Sequence, residues 1–131
     1  MRLIATIALI FLSLTAKCQD VIFKLADAKH KKWIGTTEFV TSGNEYFTDL
    51  TFYANHTVTI FNRRTKNTPE VKKWNLIAGD YLDDSDIILQ IGIRQYHVEF
   101  STTTNGKEFM TLTSIPLEDN ELSVVKAFYA E

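Results

Sequence analysis

Apolar and polar residues alternate with a period of two along most of this chain, and the alternation is cleanest between Tyr46 and Arg64. Leu50, Phe52 and Ala54 fall on one face of a first run, and Val58 and Ile60 on one face of a second. Thr48, Thr51, Thr57 and Thr59 supply β-branched residues suited to a pleated, half-buried surface. Asn55-His56 stands at the reversal. Because Asn tolerates left-handed backbone, the stretch predicts a β-hairpin with a tight turn there.

Ahead of the hairpin the period is different. Ile22, Ala26, His30 and Trp33 recur at spacings near four, with Asp20 placed as an N-cap, which predicts a short amphipathic helix from Asp20 to Lys32. Lys29-His30-Lys31-Lys32 would then be its solvated C-terminal end, where cations complement the helix dipole. From Trp33 onward the period of two takes over. Trp33–Val40 reads as the first strand, ended by the turn cluster Thr41-Ser42-Gly43-Asn44, and the hairpin supplies the second and third. A polar loop, Thr65–Pro69, precedes a fourth run, Val71–Ile77, with Trp74 and Leu76 on one face. After the turn-prone segment Gly79–Asp86, Ile87–Ile91 is the fifth strand. Gly92 bends or bulges the ladder before a sixth, in which Tyr96, Val98 and Phe100 alternate with His97 and Glu99. Asn105-Gly106 is the strongest turn signal in the chain, with two residues suited to a type I′ turn. The return strand is Phe109–Ser114, ended by Ile115-Pro116, and the Val and aromatic content of Leu122–Tyr129 favours an eighth strand over a helix.

Short strands at this turn spacing suggest a sandwich or a small barrel, and hairpin neighbours favour the barrel. The expected fold is all-β: an up-and-down antiparallel barrel of about eight strands with a short N-terminal helix, closed because closure removes strand edges. Phe52, Trp74, Val98 and Leu112 then share the inner face and are expected to be nearly fully buried. Thr51, Asn75, His97 and Thr111 point to the other side.

The arrangement resembles the small bacterial secreted lipocalin-like domains of the calycin type. The resemblance rests on Trp33-Ile34-Gly35-Thr36, on Leu50-Thr51-Phe52 with Val58-Thr59-Ile60 around a turn, on Trp74, and on Tyr96–Phe100 leading into Met110–Thr113. It spans residues 30 to 114. One departure is plain: the family places its Trp after the Gly and one further residue, where this chain has Thr37, and Trp33 precedes the Gly instead. The resemblance implies a barrel whose interior can hold a small apolar ligand.

Composition adds a compartment rather than a function. The 131 residues are 45% hydrophobic and 23% charged, ordinary for one globular domain with one core. Met1-Arg2 followed by the apolar run Leu3–Leu14 reads as a secretory signal peptide, because about a dozen residues fall short of the roughly 20 that span a bilayer. Cleavage after Ala16 or Cys18 would leave a domain of residues 19–131, periplasmic or secreted. Lys17 directly before the single cysteine disfavours lipid anchoring at Cys18 relative to simple release, and no cysteine pair remains for a disulfide. Without Arg2 and Lys17 the remainder carries twelve basic and sixteen acidic residues, a formal net charge of −4, which argues against nucleic acid or an anionic membrane surface as main partner.

Catalytic signals are weak. His30, His56 and His97 have no spacing that preassembles a metal site, and Asp83, Asp84 and Asp86 lack the remaining ligands of an EF-hand loop. No metal, no cofactor and no catalytic residue is therefore assigned. The candidate pocket residues are the inward aromatics Phe52, Trp74, Tyr96 and Phe100, read against the plainer role of core. The candidate partner-binding loop carries Asp83, Asp84 and Asp86. Two functions follow as expectations: a non-enzymatic binding domain for a small hydrophobic ligand, or a protein-binding module such as a periplasmic inhibitor or immunity protein.

Overall fold

Eight strands follow one another without a crossover, each hydrogen-bonded to the next, and the last returns to the first. The computed structural model describes residues 20–36, 48–66, 68–78 and 87–131. A short helix, α1 (residues 20–26), leads into β1 (His30–Thr36), β2 (Thr48–Tyr53), β3 (Thr57–Asn62) and β4 (Glu70–Ala78). β5 (Ile87–Ile91), β6 (Arg94–Thr102), β7 (Glu108–Ser114) and β8 (Val125–Ala130) complete a closed, wholly antiparallel barrel, compatible with a calycin-like fold. Among the described residues no helix is long and apolar enough to cross a membrane. The expected leader, residues 1–18, and Asp83, Asp84 and Asp86 lie outside the described residues.

The registers fix the size of the barrel. From Trp33 the line of directly paired residues runs through Leu50 and Ile60 to Glu70 on β4. Carried once round the barrel, the eight registers return to the starting strand displaced by twelve residues. Strand number, stagger and diameter are linked, and the eight-stranded barrels of α/β enzymes close with a stagger of about 8 around a packed core. With the same number of strands and a larger stagger, this barrel has more steeply tilted strands and a wider interior.

Side chains fill much of that interior. Trp33, Phe52, Val58, Leu89, Met110 and Phe128 are fully buried, with Trp74 and Leu112 nearly so, which places Trp74 inside as the alternation of β4 requires. α1 covers one end: Leu25 and Ala26 join the core, and the Trp33 indole N–H donates to the Leu25 carbonyl at 2.9 Å. Asp20 opens the described part of α1 and pairs with Lys24 one turn on.

Several local expectations are corrected. The helix ends at residue 26 rather than Lys32, because Asp27 takes a left-handed conformation (φ 55°), its N–H closing on the Phe23 carbonyl at 2.9 Å while its carboxylate accepts the Ala28 N–H. His30, Lys31 and Lys32 are therefore strand residues of β1, not a helix end. Ala26 and Trp33 both face the core, but from different elements, so their helix-like spacing is coincidental. In the β2–β3 turn it is His56, not Asn55, that takes positive φ (68°), while Asn55 uses its side chain to accept the Thr57 N–H and hydroxyl at 3.1 and 2.6 Å. The Asn105-Gly106 turn has the same form: Gly106 alone is left-handed (φ 85°) and its N–H returns to the Thr103 carbonyl. Both are three-residue loops ending in a left-handed residue, not type I′ turns. Gly92 is a true reversal rather than a bulge, the first residue of a two-residue turn whose positive φ (61°) suits type II′. The final strand starts at Val125, later than Leu122.

Candidate functional site

The four inward aromatics singled out in the sequence separate into two pairs. Phe52 and Trp74 meet edge-on, their ring centroids 5.8 Å apart, and both are sealed in the core. The Trp74 indole N–H is shared between the Tyr53 and Thr57 carbonyls (3.1 and 3.0 Å), and its backbone N–H donates to the His56 carbonyl. Trp74 thus staples β4 to the β2–β3 hairpin. Over it lies the His56 ring, stacked at 4.6 Å, with Nδ1 3.2 Å from the Trp74 carbonyl. Since a carbonyl only accepts, Nδ1 carries the proton.

Tyr96 and Phe100, by contrast, keep part of their surface in contact with solvent. Phe100 packs on Trp33 (6.0 Å between centroids), lies beneath the Lys24 ammonium, and shows an edge to a cleft of about 340 Å³ between α1 and the β6–β7 hairpin. Val98, expected to be nearly fully buried, is likewise only half-buried although it stands fifth of nine residues in β6, directly opposite the buried Leu112. Leu76, which faces inward beside Trp74 and pairs with Leu89, is also half-buried. The parity of β6 places Arg94 on the same side as Tyr96, Val98 and Phe100.

Arg94 and Lys126 are charges that the sequence reading left unassigned. Lys126 pairs with inward Leu112 and so also faces in, at the end of the barrel opposite α1. Glu121, from the loop between β7 and β8, ion-pairs with the Arg94 guanidinium and accepts the Leu117 N–H at 3.0 Å. Arg94 holds the Glu121 carboxyl below the usual carboxylate range, first by this hydrogen bond. Burial lowers the Lys126 ammonium from its ordinary value, and the Arg94 charge adds to the effect. Burial pushes the Tyr96 phenol up, with Arg94 opposing it. The signal for these inward charges was present: each stands two residues from an inward aromatic, Tyr96 or Phe128, on an alternating strand.

The rim at this end is pinned by Asp49, the buried acid of β2. Its carboxylate accepts the Gly35 N–H at 3.2 Å and pairs with the Arg63 guanidinium at 2.9 Å, while Arg63 also donates to the Gly35 carbonyl. A second concavity, about 490 Å³, lies on the outer surface among Asn55, His56, Lys73, Asn75, Gln90 and Gly92. His30, His56 and His97 stand on β1, the β2–β3 turn and the outward side of β6, and no group of three potential metal ligands assembles among the described residues. Compared with known proteins, the chain matches no family model, no curated protein and no solved structure.

Proposed function

We propose that this is an exported, non-enzymatic lipocalin-like barrel that takes a small, largely hydrophobic molecule along the inward face of β6. The observation that carries the reading is the partial exposure of Val98 and Tyr96, inward residues of a barrel whose stagger of twelve widens its interior. Barrels of eight strands are either filled by side chains or hold one small ligand, and the partial exposure of the inward residues of β6 supports the second. Export rests on the basic residue and apolar run that open the sequence. The reading is tested by titrating the delipidated chain with an environment-sensitive apolar fluorophore. Saturable 1:1 binding is expected, and Val98→Trp, which adds bulk on the inward face of β6, should abolish it while lowering the unfolding free energy by no more than about 1–3 kcal/mol. Binding unaffected by Val98→Trp would overturn the assignment. Mass spectrometry of the mature N-terminus tests export separately: cleavage after residue 16 or 18 supports it.

A second reading, a protein-binding module, draws on exposed apolar side chains at the end opposite α1. Ile93 in the β5–β6 turn, with Leu117 and Leu122 in the β7–β8 loop, is 77%, 54% and 83% exposed in that order. Pull-down from the cell envelope separates the two readings. A stoichiometric protein lost on Ile93→Ser and Leu122→Ser favours the second, and an extractable small molecule favours the first.

A further inference from the structure

The outer face of the barrel carries a row of carboxamides. The inward placement of Trp74, Leu89, Ile91 and Tyr96 turns Asn75, Gln90 and Gln95 outward, and the registers set these three side by side, Asn75 against Gln90 and Gln90 against Gln95. Asn55 joins them from the tip of the β2–β3 turn, where the His56 carbonyl accepts the Trp74 N–H. Neighbouring strands lie about 4.7–4.9 Å apart, so the row offers an amide at each step of that length. The outer concavity of about 490 Å³ takes in Asn55, Asn75 and Gln90, together with His56 and Lys73, and no Asp or Glu is among the described residues that line it.

What these side chains can offer follows from what they already hold. Asn55 spends its carbonyl oxygen on the Thr57 N–H and hydroxyl, which leaves its amide N–H groups as donors. Gln90 gives one N–H to the Gly92 carbonyl at 3.0 Å and keeps its own oxygen as an acceptor. Among the described residues no hydrogen bond engages the Asn75 side chain and no ion pair engages the Lys73 ammonium, and both residues are exposed. His56, its Nδ1 proton held by the Trp74 carbonyl, keeps Nε2 as an acceptor, and Trp74 backs its ring at 4.6 Å. We infer that this face binds an extended acidic oligosaccharide, laid across β4, β5 and β6 with its hydroxyls on the carboxamides, one sugar ring against His56 and a uronic carboxylate on Lys73. A sugar hydroxyl both donates and accepts, as a carboxamide does, and a flat chain of pyranoses advances by about one strand spacing per sugar. The single cation among acid-free neighbours selects a chain with a carboxylate. A peptide strand does not fit, because a closed barrel has no free edge to extend. The site lies outside the barrel and does not depend on what the interior holds.

The test titrates the purified protein with a tetramer of glucuronic acid and with cellotetraose, its neutral counterpart of the same linkage, by calorimetry and by NMR. The acidic tetramer should bind about fivefold more tightly than the neutral one, and Lys73→Gln should erase the difference. Asn75→Ala should weaken both tetramers about three- to tenfold, because each loses the same hydrogen bonds. Both positions are exposed, so neither variant disturbs the core. The side-chain amide signals of Asn75, Gln90 and Gln95 should move on titration while the Val98 methyl signals stay in place, which separates this face from the interior. Equal binding of the two tetramers, binding that survives Asn75→Ala, or signal changes at Val98 without changes along the carboxamides would overturn the inference. Binding of neither tetramer would overturn it as well, and an apolar probe held inside the barrel would be unaffected by either variant.

Discussion

β6 and β7 are paired at seven positions, face the same interior and share the same alternation, yet their inward residues end in different surroundings. On β7, Met110 and Leu112 retain 0% and 1% of their exposure; opposite them on β6, Phe100 and Val98 remain half-buried. Strand pairing decides which way a side chain points, and the far wall decides whether it is covered. The inward residues of β7 lie in one cluster with Trp33, Trp74, Phe52 and Phe128, the bulkiest fully buried side chains described. Those of β6 pack against the same cluster but keep part of their surface exposed. One barrel thus has one wall whose inward residues are sealed and another whose inward residues are not.

The largest test of this contrast is on the sealed side. Trp74→Ala should destabilise the domain by about 3–5 kcal/mol in chemical denaturation, since it removes a buried indole together with its N–H shared between the Tyr53 and Thr57 carbonyls. A loss under about 1 kcal/mol would mean that the indole is not sealed in solution. Next, Leu112→Ala should cost about 2–4 kcal/mol, whereas Val98→Ala, at the directly paired position on β6, should cost about 1 kcal/mol or less. Equal losses at the two positions would erase the distinction between the walls. Asp49→Ala should cost about 2–3 kcal/mol, because the Gly35 N–H loses its acceptor and the Arg63 guanidinium its carboxylate partner.

The smallest effect concerns alkaline pH. Burial raises the Tyr96 phenol above its ordinary value of 10.0, so above that pH the unfolded chain releases a proton that the folded chain still holds. Stability attributable to Tyr96 should be fully present below pH 10 and fall as pH rises toward the folded value. Lys126 acts with the opposite sign below its ordinary 10.5, where its lowered folded value makes stability rise with pH. Tyr96→Phe should flatten the alkaline loss and leave the Lys126 rise; an unchanged profile would show that the phenol is open to water in solution.

Alternation made the architecture legible, because a period of two assigns direction residue by residue: the eight strands, the inward placement of Trp74 and the closed meander all follow from it. It could not show whether an inward residue is covered, which is why Val98 was expected to be as buried as Leu112. Local backbone details were lost where a side chain competes with the expected geometry. Asn55 spends its carboxamide on Thr57 and leaves the left-handed position to His56, whose ring is held against Trp74. The helix end was lost because Asp27, an ordinary polar residue in sequence, adopts the conformation usual for glycine. Arg94 and Lys126 were left unassigned, although parity with Tyr96 and Phe128 places them inside.

The pairing of β1 with β8 also orders the events of folding. Seven of the eight strand contacts join neighbours in sequence and can form as soon as a hairpin emerges, but Trp33 meets Ala130 only after almost the whole chain is present. Until then β1 and β7 each present an unpaired edge, the surface through which partly folded β proteins join one another. β8 covers both edges in one step. Its arrival, rather than the collapse of the core, is the moment at which the molecule stops being able to pair with a neighbour.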